Sequence, residues 1–228
     1  MARIALCIPG LSFNYVWVAH MLQLQAFLLG EGHTVAVAPG YTNNIYITRQ
    51  IIFNTLMTDK NIDYVLWVDD DNVISIPTFV RLLDDLESRP EADAISAWYW
   101  LAGAVFEGVR PSVGTFTEDD KLRHLQIEDL QSKALLPIEW AGMGCVLMRR
   151  RALDLVGDRP FRPILRDGDE TLGFDGDDIA FFHRFIDGGG VMYCDTQAHV
   201  PHLKLRAVSP PLQVPQESKK EIPEEVAA

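Results

Sequence analysis

Short apolar runs alternate with helix-length segments through the first hundred residues, and each run ends in an abrupt stop. Residues 3–8 end at Pro9-Gly10, residues 33–38 at Pro39-Gly40, residues 64–68 at Asp69-Asp70-Asp71, and residues 94–98 at an aromatic triplet. Between them, residues 16–29, 47–58 and 77–88 have helical length and periodicity. In the second of these helices Ile47 and Ile51, with Phe53 and Leu56, are expected to face inward. In the third, Ser75 can cap, and Phe79, Leu82, Leu83 and Leu86 form one stripe. Strand-helix alternation of this kind predicts an α/β domain with a parallel sheet covered by helices on both faces. Ligands of such sheets sit at the carboxyl ends of the strands.

The second half is less regular. Residues 102–136 read as hairpins and loops. Residues 136–140 and 145–148 read as strands around Ala141-Gly142-Met143-Gly144, and 150–156 as a short helix. Residues 178–186 form a helix stopped by three glycines, and 191–194 a late strand. Pro, Glu, Lys and Ser dominate 207–228, which reads as a disordered tail behind a 1–206 domain. The three cysteines, Cys7, Cys145 and Cys194, lie in apolar runs and read as buried reduced thiols. The N-terminal apolar run is too short for a leader or a membrane span, so a cytoplasmic location is expected. With 228 residues and a formal net charge of -12, the chain lacks the basic footprint of a nucleic-acid binder. An anionic substrate needs a bound cation or well-placed arginines here.

The acidic run Asp69-Asp70-Asp71 follows an apolar strand. In extended backbone, residues two apart share a side, so Asp69 and Asp71 are paired candidates for a cation. Adjacent carboxylates repel one another unless a cation or water separates them, and their oxygens suit Mg2+ or Mn2+. A second acidic group, Asp175-Gly176-Asp177-Asp178, opens a helix. One aspartate there serves as a cap; Asp177 or Asp178 is the candidate general base. His202, with His199 as the weaker alternative, is the candidate nitrogen ligand. Arg49 is read as opening the helix from residue 47, where a cation opposes the dipole; a bound phosphate or base would explain it. Trp98 is a candidate for stacking on a sugar, and Gly142 for close backbone approach to one.

Taken together, Asp69-Asp70-Asp71 at a strand end, Gly176-Asp177-Asp178-Ile179-Ala180-Phe181, Arg49-Gln50 and the late His202 resemble the GT-A glycosyltransferases, in particular small family-2-like members of bacteria and their viruses. The resemblance spans residues 3–204. It departs from the family pattern at Asp177, where glutamate is usual. It implies a single GT-A-like α/β/α domain with a mostly parallel central sheet flanked by helices. It also implies a Mn2+ or Mg2+ ion on Asp71 with Asp69 or His202, and a nucleoside-diphosphate sugar as donor, UDP-sugars foremost. Pro9, Arg49, Asp69 and Asp70 would then cradle the nucleoside. The acceptor, whether glycan, small molecule, lipid, protein or modified nucleobase, stays open, as does the choice between inversion and retention. The alternatives are a sugar-phosphate nucleotidyltransferase and a non-catalytic nucleotide-sugar or carbohydrate-binding protein. The first normally carries basic residues after the first strand, and Pro9-Gly10-Leu11-Ser12-Phe13 has none.

Overall fold

The computed structural model describes residues 1–102, 109–132, 134–165 and 173–204. The expected tail at 207–228 lies outside them. The first half follows the alternation: β1 (Arg3–Pro9), α1 (Tyr15–Gly30), β2 (Thr34–Gly40), α2 (Ile45–Thr58), β3 (Tyr64–Val68), α3 (Ile76–Ser88) and β4 (Ala94–Trp98). Side-chain oxygens start all three helices. Asn14 accepts from the Val16 amide, Asn44 from that of Tyr46, and Ser75 from that of Thr78.

After β4 come short strands β5 (Trp100–Ala102), β6 (Val109–Pro111), β7 (Val113–Phe116) and β8 (Leu122–His124), then a helical turn, α4 (Ile127–Leu130). Next are β9 (Leu135–Ile138), β10 (Trp140–Ala141) and β11 (Cys145–Arg149), the last running into a 3-10 turn at Arg150–Asp154. The pair β12 (Ile164–Leu165) and β13 (Phe174–Asp175) precedes α5 (Asp177–Asp187) and β14 (Met192–His199).

The central sheet has seven strands in the order β2-β1-β3-β11-β4-β14-β9. Strands β2, β1 and β3 pair in parallel, as do β4 and β14, while β11 and β9 run antiparallel to their neighbours. Successive side chains of each strand face opposite sides. Ile4, Leu6, Leu66 and Val68 therefore meet Trp17, Met21, Leu24 and Leu28 of α1 and Phe79, Leu82 and Leu86 of α3. On the other face Ala5, Cys7, Val65 and Trp67 meet Ile52, Phe53 and Leu56 of α2 and Phe181, Phe182 and Phe185 of α5. The result is an α/β/α sandwich with a mainly parallel sheet. All three cysteines are free and buried. Among the described residues no helix is long and apolar enough to cross a membrane.

Four local expectations change. Ile47 and Ile51 face outward at 52% and 47% exposure, and Thr48, Arg49 and Ile52 take the buried positions. Helix α2 begins two residues earlier than its pattern suggested, and its inner face carries an arginine that a hydrophobicity count scores as outside. The expected strand 136–140 divides between β9, in the central sheet, and β10, which joins β7 and β8. The helix expected at 150–156 is a 3-10 turn. Strand β14 extends to His199 through Asp195 and Thr196. Both are buried, and both are paired: Asp195 with Arg81, and the Thr196 hydroxyl with the backbone of Ala134.

Candidate active site

Parallel strands bring their carboxyl ends to one edge of the sheet, and that edge collects Pro9, the acidic run, Tyr99 and the segment after His199. The antiparallel return of β11 aligns Cys145 with Val68. The Asp69 amide accordingly donates to the Gly144 carbonyl at 3.3 Å. From the α1 side, the Trp17 indole N–H donates to the Asp69 carbonyl at 2.8 Å. The acidic run is therefore anchored from two directions.

Its three carboxylates have separate partners. Arg49 grips both oxygens of Asp69 with one terminal nitrogen, at 2.8 and 2.9 Å. The other terminal nitrogen binds Asp177. Arg49 is in the second turn of α2, is 5% exposed, and ties the third strand to the start of α5. The counter-charge that explains its position is this carboxylate pair, where the sequence had suggested a phosphate. Burial opposes its charge, but Asp69, then Asp177 and Asp178, hold its pKa above the ordinary arginine value.

Asp70 turns to the loop after β1 and accepts from the Leu11 amide at 3.2 Å. A Cβ on Gly10 would lie 2.4 Å from an Asp70 oxygen, so the approach of loop to carboxylate requires glycine there. Burial raises the Asp70 pKa, and the Leu11 amide offsets part of that.

Asp71 meets the late segment. Its Oδ2 lies 3.1 Å from His202 Nε2 and 2.9 Å from Lys204 Nζ. His202 Nδ1 donates to the Trp100 carbonyl at 2.9 Å, since a carbonyl only accepts. Nε2 therefore faces a carboxylate oxygen with its lone-pair position, and only a proton or a cation can sit between the two. An imidazole fixed by a carbonyl and aimed beside a carboxylate is the arrangement of a mixed N/O cation site. Among the described residues no three His, Cys, Asp or Glu side chains gather as a closed metal set. Mg2+ and Mn2+ sites with one or two protein ligands leave the remaining positions to phosphate and water, so the pair fits such an ion. Burial raises the Asp71 pKa, but hydrogen bonds from His202 and Lys204 outweigh it and hold the group below the ordinary carboxylate value.

Asp177 and Asp178 occupy the first turn of α5, where the helix dipole favours negative charge. Asp177 is committed to Arg49. Asp178 accepts from the Ile179 amide at 2.9 Å. It is pushed up to about 6, by burial first and then by the charge of Asp177, with Arg49 pulling the other way.

Pro9, Arg49, Asp69, Asp70 and Asp71 line one cavity of about 300 Å3, together with Thr42, Asn43 and Thr48. An adjoining cavity of about 440 Å3 continues past Asp70 and Asp71 to Ser12, Phe13 and Lys204. A further cavity, about 690 Å3, is on the outer side of α2 against residues 158–163 and touches none of the three carboxylates.

Two expected residues are elsewhere. The Trp98 indole N–H donates to the Thr196 carbonyl, and its ring packs on Trp100 and His199. Gly142 is buried, and a Cβ there would meet the Tyr99 hydroxyl at 2.2 Å. The residue of the aromatic triplet that reaches the site is Tyr99, edge-on to His202 at 4.8 Å, its hydroxyl accepting from the Gly144 amide. Period-two alternation separates Tyr99 from Trp98 and Trp100 and is the signal that could have identified it. Lys204 carried no such signal.

No known family profile matches the sequence, and no curated protein is similar to it in sequence. Solved structures do match. A197 from STIV superposes with a TM-score of 0.53 at 15% identity, over 91% of this chain and 97% of that one. GalNAc-T7, crystallised with UDP, GalNAc and Mn2+, superposes with a TM-score of 0.54 at 11% identity, over 93% of this chain. The match spans 46% of the GalNAc-T7 chain. With its mainly parallel sheet clasped by helices on both faces, the chain has a GT-A-like glycosyltransferase fold.

Proposed function

We propose that the chain moves a sugar from a nucleoside-diphosphate sugar to an acceptor hydroxyl, with a divalent cation held by Asp71 and His202. The observation that carries this is the fixed His202 ring aimed at the Asp71 carboxylate beside a cavity lined by the rest of the acidic run. The UDP and Mn2+ in the GalNAc-T7 crystal structure support the choice of ligands. Bound there, Mn2+ or Mg2+ would act as a Lewis acid that offsets charge developing on the departing diphosphate.

The chain's own residues do the rest. The loop after β1, held by Asp70, and the start of α2 form the walls for the nucleoside. Arg49 fixes Asp69 and Asp177 and so holds the donor edge against α5; it is a positioning residue. Asp178 is the base: among the described residues no cationic side chain claims its oxygens, and its raised pKa keeps it close to neutrality, where a base is most effective. It takes the proton of the acceptor hydroxyl as the new bond to the sugar forms and the bonding pair leaves with the diphosphate. A base acting on an incoming hydroxyl implies inversion at the sugar.

A panel of UDP-, GDP- and CDP-sugars with Mn2+ tests this through release of the nucleoside diphosphate. Asp178→Asn is expected to keep nucleotide capture and to lose about a hundredfold or more in turnover. Turnover equal to the wild type removes Asp178 from the chemistry. Capture without any turnover in the wild type favours a binding protein instead.

A further inference from the structure

We infer that Lys204 competes with the cation for Asp71 and turns to the donor diphosphate when cation and nucleotide bind together. This rests on the cation site proposed for Asp71 and His202. Lys204 Nζ and His202 Nε2 both point at the same oxygen of Asp71, at 2.9 and 3.1 Å. A divalent ion bridging Asp71 and His202 needs that oxygen, and an ammonium group beside it repels the ion. One of the two must leave.

The anchoring of Lys204 permits the exchange. The Leu203 amide donates to the Asp71 carbonyl at 2.7 Å, and His202 pairs with Asn72 as an isolated β-bridge. The backbone next to Lys204 is thereby fixed. Its side chain is 48% exposed and opens onto the cavity shared with Ser12, Phe13, Asn14 and Asp70. The four-carbon stem can swing while the attachment point stays put.

The charge around the donor cavity gives the displaced ammonium a destination. Asp69, Asp70 and Asp71 surround it, and among the described residues lining the two adjoining cavities the only other cation is Arg49. Both terminal nitrogens of Arg49 are already bound to carboxylates. A diphosphate entering this acidic edge has Lys204 as its one unburied protein cation among those lining residues. Lys204 thus has two alternative partners, Asp71 and the donor diphosphate.

Calorimetric titrations with Mn2+ alone, and with UDP at saturating Mn2+, test the exchange in the wild type, Lys204→Met and Lys204→Arg. Lys204→Met is expected to bind Mn2+ alone about threefold or more tightly, because its competitor is gone, and to bind UDP with Mn2+ about threefold or more weakly. Lys204→Arg is expected to restore UDP affinity. Mn2+ affinity unchanged or lower in Lys204→Met overturns the competition for Asp71. Tighter Mn2+ with unchanged UDP affinity overturns the move to the diphosphate. If UDP capture is independent of Mn2+ in the wild type itself, the cation site falls and this inference with it.

Discussion

Asp178 holds its charge at a cost, because desolvation and the neighbouring Asp177 oppose it, and Arg49 and the Ile179 amide compensate only in part. Below about pH 4 the carboxyl is protonated in both folded and unfolded chains. Between there and about 6 the unfolded chain has released its proton while the folded one retains it, so stability falls as pH rises through that window. Asp178→Asn removes this loss. At pH 7.5 the variant is expected to be more stable than the wild type by about 1–2 kcal/mol, with the difference vanishing near pH 4; chemical denaturation at both pH values measures it. A variant that is less stable at pH 7.5 contradicts the assigned environment. Transfer should fall below about pH 6, where Asp178 is protonated. Arg49→Met leaves the half-buried Asp69 and the buried Asp177 without their shared partner, and is expected to cost about 3 kcal/mol of stability. Residue types at the site were legible because three aspartates after an apolar strand have few inexpensive explanations. Their partners were not. Asp69 and Asp177 are 108 positions apart in the sequence and share one guanidinium, a contact that no local pattern encodes.

Helix α2 shows how an element can satisfy its periodicity from either side. Apolar residues at 47, 51, 52, 53 and 56 permit two registers, and the structure buries Ile52, Phe53 and Leu56 while Ile47 and Ile51 stay exposed. Ile52→Ala is expected to lose about 2–5 kcal/mol, whereas Ile51→Ala should lose less than about 1 kcal/mol; thermal unfolding of the two variants separates the registers, and the reverse order would contradict the burial of Ile52 against the sheet. Helix α3 was readable because its apolar stripe is unambiguous and serine marks its start, and α1 from its length and the glycines at 30 and 32 that end it, since its apolar residues surround the helix. Strand β14 was read as too short. A hydrophobic pattern stops at Asp195, yet Arg81 from α3 neutralises that side chain. The antiparallel insertion of β11 between β3 and β4 was also hidden, because strand direction leaves no mark on composition. That insertion matters, since it brings Gly144 to the Asp69 amide.

Across the whole molecule, a chain of net charge -12 gathers carboxylates at the edge where the parallel strands end. Such an edge repels a diphosphate unless a cation stands between them. The α/β/α architecture was legible from alternation alone, because only a sheet covered on both faces accommodates so many uninterrupted apolar runs. The central claim is that Asp71 and His202 hold that cation. Isothermal titration of UDP, with Mn2+ and then with a chelator, in the wild type and in Asp71→Asn, tests it most directly. Measurable UDP binding is expected in the wild type with Mn2+, and loss of it both with chelator and in Asp71→Asn. Equal UDP affinity with and without the ion would contradict the claim.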